Sequence, residues 1–382
     1  MKLLEFGLLL TGILPASFLS AQTKNFPPAK GRSVANFDAL VNKAEAAREA
    51  DRTDEAISLY RQIVHIKPGF IEGWWYLGTL FYESDQYADG RAAFRHVTGL
   101  KPEMSLGWAM LGLCEFETKD YDSALMHLER ADQLKIPNEQ GFYDVAKYHL
   151  ALLLTRAGRF EAAISLITDF VRRGKEGTEF TEAMGLAGLR KPLLPSELPA
   201  TGRELVLDVG RAICDATARR VADAERSRTE MLRKYPDTPQ IHFIAGSLLL
   251  ESDSDKALDE WKAELAISLS HPQALVSIAG EYLKRREYNT ALPFAEKAVA
   301  TNPEFFSAHA VLGQILAEGD LDVPRGIREL ETALRLFPSQ PQVHFALATA
   351  YAKAGRKEDA AKERAEFLRL RSRNEIAVSK PQ

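Results

Sequence analysis

The sequence predicts an all-α solenoid of some eight or nine stacked pairs of antiparallel helices. A pattern of aromatic, apolar and small residues in 71–104 returns thirty-four residues later, with Trp74, Leu77 and Gly78 answered by Trp108, Leu111 and Gly112. Within each period the apolar positions fall at the spacing of one helix face. The periods close on Pro68, Pro102 and, one residue late, Pro137, and proline stops a helix because it has no amide hydrogen to donate. One helix pair cannot bury its apolar face alone, so such a period implies stacking into a continuous core.

The spacing Trp74-x2-Leu77-Gly78-x2-Phe81, followed by Gly90, Phe94 and Pro102, resembles the tetratricopeptide-repeat family. That resemblance implies a right-handed superhelix whose first helices line a concave groove where partner peptides bind. Gly78 and Gly90 are expected to let two backbones approach, with Phe81 and Phe94 filling the space beside them.

The N-terminus reads as an export signal over 1–21: Lys2, an apolar run from Phe6 to Leu14, then small residues to Ala21, where cleavage is expected. The run is short and interrupted for a membrane span, so no stable span is expected after its removal, and the expected location is periplasmic or secreted. Residues 22–36 read as a disordered lead-in and 37–177 as an N-terminal repeat array. Residues 178–204 read as a divergent helix and a joint carrying Pro192, Pro195 and Pro199, either structural or a binding loop. A second array is expected over 205–370, and a disordered tail over 371–382. Its fifth repeat is weak, because Asp208 and Arg228 stand where apolar residues belong.

A net charge of −4 with interleaved signs gives no basis for expecting nucleic acid. Two cysteines, Cys114 and Cys214, are too few for a disulfide framework or a multi-cysteine metal site, and both read as buried small hydrophobes. His242, His309 and His344 occupy the slot of Trp74 on different repeats and read as structural. His65, His96 and His127 drift along second helices and show no metal-ligand spacing. Asp253, Asp255 and Glu264 have part of a calcium-loop spacing, but Leu258 stands where glycine is required. Phosphate-loop, dinucleotide and nucleophile-elbow motifs are absent. No stretch is left over for a catalytic domain, so the expectation is a non-catalytic chain without a cofactor.

Projection from the buried slots places Trp75, Thr79 and Tyr82, then Leu106, Leu113 and Phe116, then Tyr148, Leu152 and Arg156 along the inner face of repeats two to four. Some members of the family hold a chaperone's C-terminal carboxylate with Lys, Asn and Arg in these slots; apolar residues stand here instead, so that clamp is not expected. An apolar peptide or helix of a protein partner suits the strip better. The sequence therefore reads as a protein-interaction scaffold, an assembly factor of the cell envelope, or alternatively an accessory subunit of an envelope enzyme or polysaccharide export machine.

Overall fold

The structure, a computed structural model, describes residues 31–137 and 141–379, with side chains between 36 and 372 of these. The expected export signal, residues 22–30 of the lead-in and Asn138–Gln140 of the insert after repeat three lie outside the described residues. Among the described residues there are nineteen α-helices, one 3-10 turn and no strand, an all-α solenoid of helix pairs. The chain divides into two compact units.

The first unit comprises residues up to Arg173 together with Arg190–Leu198. Its helices pair in chain order: α1 (Gly31–Glu49) with α2 (Thr53–Ile66), α3 (Ile71–Glu83) with α4 (Tyr87–Leu100), α5 (Ser105–Glu117) with α6 (Tyr121–Gln133), and α7 (Phe142–Arg156) with α8 (Phe160–Arg172). The helix thus begins at Gly31, inside the expected lead-in. A 3-10 turn spans Pro195–Glu197.

The second unit holds Gly174–Leu189 and everything after Leu198. It opens with α9 (Thr178–Gly188) packed on α10 (Ala200–Thr217), which also pairs with α11 (Val221–Lys234). Then α12 (Ile241–Leu249) pairs with α13 (Ser254–Ile267), α14 (Pro272–Lys284) with α15 (Tyr288–Thr301), α16 (Phe306–Glu318) with α17 (Val323–Leu336), and α18 (Pro341–Lys353) with α19 (Lys357–Ser379). The backbone stays helical to Ser379, beyond the expected start of the tail. The stretch expected as a joint is split, because α9 packs on α10 while 190–198 joins the first unit.

The turn inside each pair follows one rule. A single residue in the left-handed region ends the first helix in eight of the nine pairs: Asp51, Asp85, Lys119, Gly158, Arg219, Arg286, Asp320 and Gly355. The next amide then reaches back to a carbonyl inside the helix, as Gln86 N–H does to Phe81 O at 2.8 Å and Asp120 N–H to Glu115 O at 2.9 Å. This closure satisfies carbonyls that the helix end would leave bare. The α12–α13 turn is the exception: Asp253 instead caps α13 by accepting from Lys256 N–H at 3.0 Å.

A second rule ties five of the repeats to the segment before them. Trp74 and Trp108 donate their indole N–H to the carbonyls of Pro68 and Pro102, both at 2.8 Å. In the second unit histidine takes the same slot and the same bond: the Nε2 atoms of His242, His309 and His344 lie 2.9 Å from the carbonyls of Pro236, Pro303 and Pro338. Their Nδ1 atoms each meet a glutamate of the paired second helix, Glu260, Glu329 and Glu363, at 2.6 Å. These histidines thus replace tryptophan's bond and add a hydrogen bond to a carboxylate. The residues with partial calcium-loop spacing do not converge either: Asp255 pairs with Arg285, while buried Glu264 accepts from the amides of Gln240 and Phe243 at the start of α12.

The small residues of repeat two make room for side chains rather than, as expected, for a neighbouring backbone. A Cβ at Gly78 would lie 2.8 Å from the Phe94 ring, and one at Gly90 3.0 Å from Cys114 Sγ. The tightest approach was not legible in the repeat pattern and joins α9 to α10. There a Cβ on Gly185 would fall 1.9 Å from Val206 O, and one on Gly210 1.8 Å from Thr181 O. Repeat five is polar inside, as its sequence implied. Buried Asp208 accepts from Lys234 Nζ at 2.9 Å and Tyr235 Oη at 3.1 Å, and buried Asp215 is held by Arg220 and Ser227.

Candidate partner-binding groove

The first helices expected to line the inner face of the first unit are α3, α5 and α7, of which α5 and α7 touch directly. The expected strip divides into two sets there. Trp75 is only 3% exposed, its ring set edge-on to Phe94 and Phe142 at centroid distances of 5.6 and 6.5 Å. Thr79, Leu106, Leu113 and Leu152 are buried as well. The expectation that these five present themselves to a partner is corrected: they are packed inside the first unit, as Trp75 is against Phe94 of α4 and Phe142 of α7.

Tyr82, Phe116, Tyr148 and Arg156 remain half-buried. Each of the first two pairs with an aromatic from the first turn of the second helix. Tyr82 lies 5.3 Å from Tyr87, and Phe116 lies 5.6 Å from Tyr121, both edge-to-face. Tyr87 and Tyr121 are thirty-four residues apart, so the pair is a repeated device. The periodicity could have revealed these partners, but attention to first helices alone passed over them.

Phe116 also meets the ring of His149 edge-on at 4.6 Å, and His149 meets Tyr148 at 5.7 Å. His149 is buried and its Nδ1 donates to Val145 O at 2.8 Å. Burial holds its pKa below the ordinary value, because a charged imidazole would lose its hydration there. The ring is therefore neutral at pH 7 and acts as a spacer between the two half-buried aromatics. Burial likewise pushes the Tyr82 hydroxyl above its usual range, with Glu117 adding to the shift, so it stays a neutral donor.

Arg156 closes the strip. Its guanidinium lies 4.6 Å over the Tyr121 ring, a cation–π contact that leaves the edge of the group available. Its Nε faces Glu197 Oε1 of the proline-rich segment at 3.5 Å. Glu197 was not anticipated from the sequence, since nothing in a one-dimensional pattern ties a loop to a helix forty-one positions earlier. The geometry combines flat aromatic faces, a phenolic donor and one cation, which suits an apolar segment with an acceptor or anion at one end. Among the described residues no group of three His, Cys, Asp or Glu is placed to hold a metal ion.

A tetratricopeptide-repeat family model matches residues 77–138 and 317–372, and a second with the same description matches 38–68. Over these segments the chain is built of tetratricopeptide repeats. The matched segments include α3 to α6, where Tyr82, Phe116 and their paired tyrosines stand. Tetratricopeptide repeats are generally non-catalytic protein-interaction scaffolds, and this chain is built as an interaction scaffold. No curated protein matches the sequence. Solved structures of MamA are similar over less than half of the chain. A MamA RS-1 ArsTM double mutant is 23% identical, covering 46% of this chain and 98% of its own at a TM-score of 0.40. MamA 41-end from Desulfovibrio magneticus RS-1 is 23% identical, covering 43% and 96% at 0.38. Among the described residues no helix is long and apolar enough to cross a membrane.

Proposed function

We propose that this chain is an exported, non-catalytic scaffold that assembles components of the cell envelope by holding an apolar peptide or helix of a partner protein along α3, α5 and α7. The observation that carries the reading is the half-buried line Tyr82, Phe116 and Tyr148 ending on Arg156. These rings keep apolar faces in water although the positions beside them are packed shut. Covering them would stabilise a complex by roughly 2 kcal/mol for each anchor that becomes fully buried, about 30-fold in affinity. Export rests on the sequence of residues 1–21 and has its own test: mass spectrometry of the chain from the envelope fraction should find a mature N-terminus near Gln22.

The test of binding is affinity capture from an envelope fraction with the full chain and a Tyr82→Ala/Phe116→Ala/Tyr148→Ala variant. Trp75 is left intact because its removal would open a cavity. The variant should keep its helical content and lose one specific partner at least 30-fold. Equal recovery of every partner by both folded proteins would remove the groove from consideration.

A further inference from the structure

We propose that residues 190–198 are a ligand held in cis, and that the Arg156 end of the groove accepts partner peptides bearing the same Leu-Pro-x-Glu-Leu turn. The inference rests on the groove reading above and specifies the chemistry of its ligand. The segment carries the anatomy of a bound peptide. It contains no α-helix and belongs to the first unit, yet Leu194 is 1% exposed and Leu198 8%. Charged contacts flank these anchors: Arg190 donates to Glu161 at 2.6 Å and lies over the Phe160 ring, and Glu197 meets Arg156. An apolar centre with a polar rim is the ordinary composition of an interface.

The turn is also prebuilt. Glu197 N–H donates to Leu194 O at 2.9 Å, while Glu197 Oε2 accepts from Leu194 N–H at 2.8 Å. Pro195 fixes one further dihedral. One carboxylate oxygen thus folds the turn, and the other is turned outward to Arg156. A free peptide of this sequence loses little conformational freedom on binding, which favours recognition. The pair between Arg156 and Glu197 is roughly one-third exposed on both sides, so it supplies selectivity while the leucines supply strength. Tethering keeps the turn at an effective concentration of about the millimolar range. An outside ligand must therefore compete with it, which makes wild-type affinity lower than that of a chain with its own turn unseated.

Fluorescence anisotropy of a labelled nine-residue peptide covering 191–199 tests this on the full chain. Leu194→Asp should unseat the native turn and bind the peptide at least tenfold more tightly than wild type, with a scrambled peptide inert. Adding Arg156→Glu should lower that affinity about tenfold, and a peptide carrying Glu197→Gln, whose amide oxygen can still accept from Leu194 N–H, should bind the two proteins alike. Should Leu194→Asp fail to fold, Glu197→Ala with Leu198→Ala replaces it. A folded, unseated variant that binds no better than wild type, or that binds the scrambled peptide equally, overturns the proposal. So does a wild-type dimer that dissociates on Leu194→Asp, because the turn is then exchanged between copies. If peptide binding fails while Tyr148 and Phe116 still govern partner capture, the groove stands and only its ligand chemistry falls. If both fail, the groove falls too.

Discussion

Two glycine-to-alanine substitutions in the second unit should change its stability in opposite directions. Alanine is favoured over glycine in a helix interior by up to about 1 kcal/mol. At Gly280, inside α14, nothing lies within 4 Å of the added Cβ, so Gly280→Ala should stabilise by most of that amount. At Gly185 the same methyl would fall 1.9 Å from Val206 O. Ordinary contact begins near 3.4 Å, so α9 and α10 would have to separate by about 1.5 Å, the difference of the two distances. The obstacle is a backbone carbonyl, which cannot swing aside as a long side chain can. Overpacking that moves backbone costs about 1–3 kcal/mol or more. After the propensity gain, Gly185→Ala should still be destabilising by about 2 kcal/mol. For a unit of this size 1 kcal/mol moves the melting temperature by about 2–4 °C. Differential scanning calorimetry should show the second unit's transition rising by a few degrees in Gly280→Ala and falling by at least about 4 °C in Gly185→Ala. Equal stabilisation in both would show that α9 does not cross α10 at Gly185 and would refute the packing described.

Two further outcomes follow from burial. Burial pushes the thiols of Cys114 and Cys214 up to about 12 and about 11, so neither is a thiolate at pH 8. A thiol reagent should label neither in the native protein and both in denaturant, and native labelling at the rate of a free thiol would contradict their placement. His149 carries a pKa lowered by burial. Below about 6.5, the ordinary histidine value, the unfolded chain takes up a proton that the folded ring resists, so stability falls as pH drops through that value and is flat above it. His149→Phe should flatten the slope between pH 5 and 7.5 in thermal melts of the first unit; an unchanged slope would place its origin elsewhere.

Fold and groove were not equally legible. Trp74, Leu77, Gly78 and Pro102 announce the helix pair because each performs a task that recurs in other repeats: a bond to the preceding proline carbonyl, a core contact, a close approach, a helix stop. The histidines of the second unit could be placed in the tryptophan slot for the same reason. What periodicity could not show is which inner positions the next helix covers. Trp75 and Tyr82 both project inward by helical geometry, yet Phe94 of α4 and Phe142 of α7 pack against the first while the second stays half-buried. Nor could it show α9 crossing α10 at Gly185 and Gly210, a contact without a repeat to echo it. The return of Leu194 and Leu198 to the first unit was equally hidden, because a proline-rich stretch carries no period.

Site-specific photocrosslinking tests the central claim most directly. A photoreactive phenylalanine analogue placed at Phe116, at Tyr148 or at exposed Met126 of α6 would be activated in the intact cell envelope. Covalent capture of one and the same protein from Phe116 and Tyr148, and none from Met126, is the expected result. Capture from Met126 alone, or no adduct from either groove position in a folded chain, would contradict a partner held along α5 and α7.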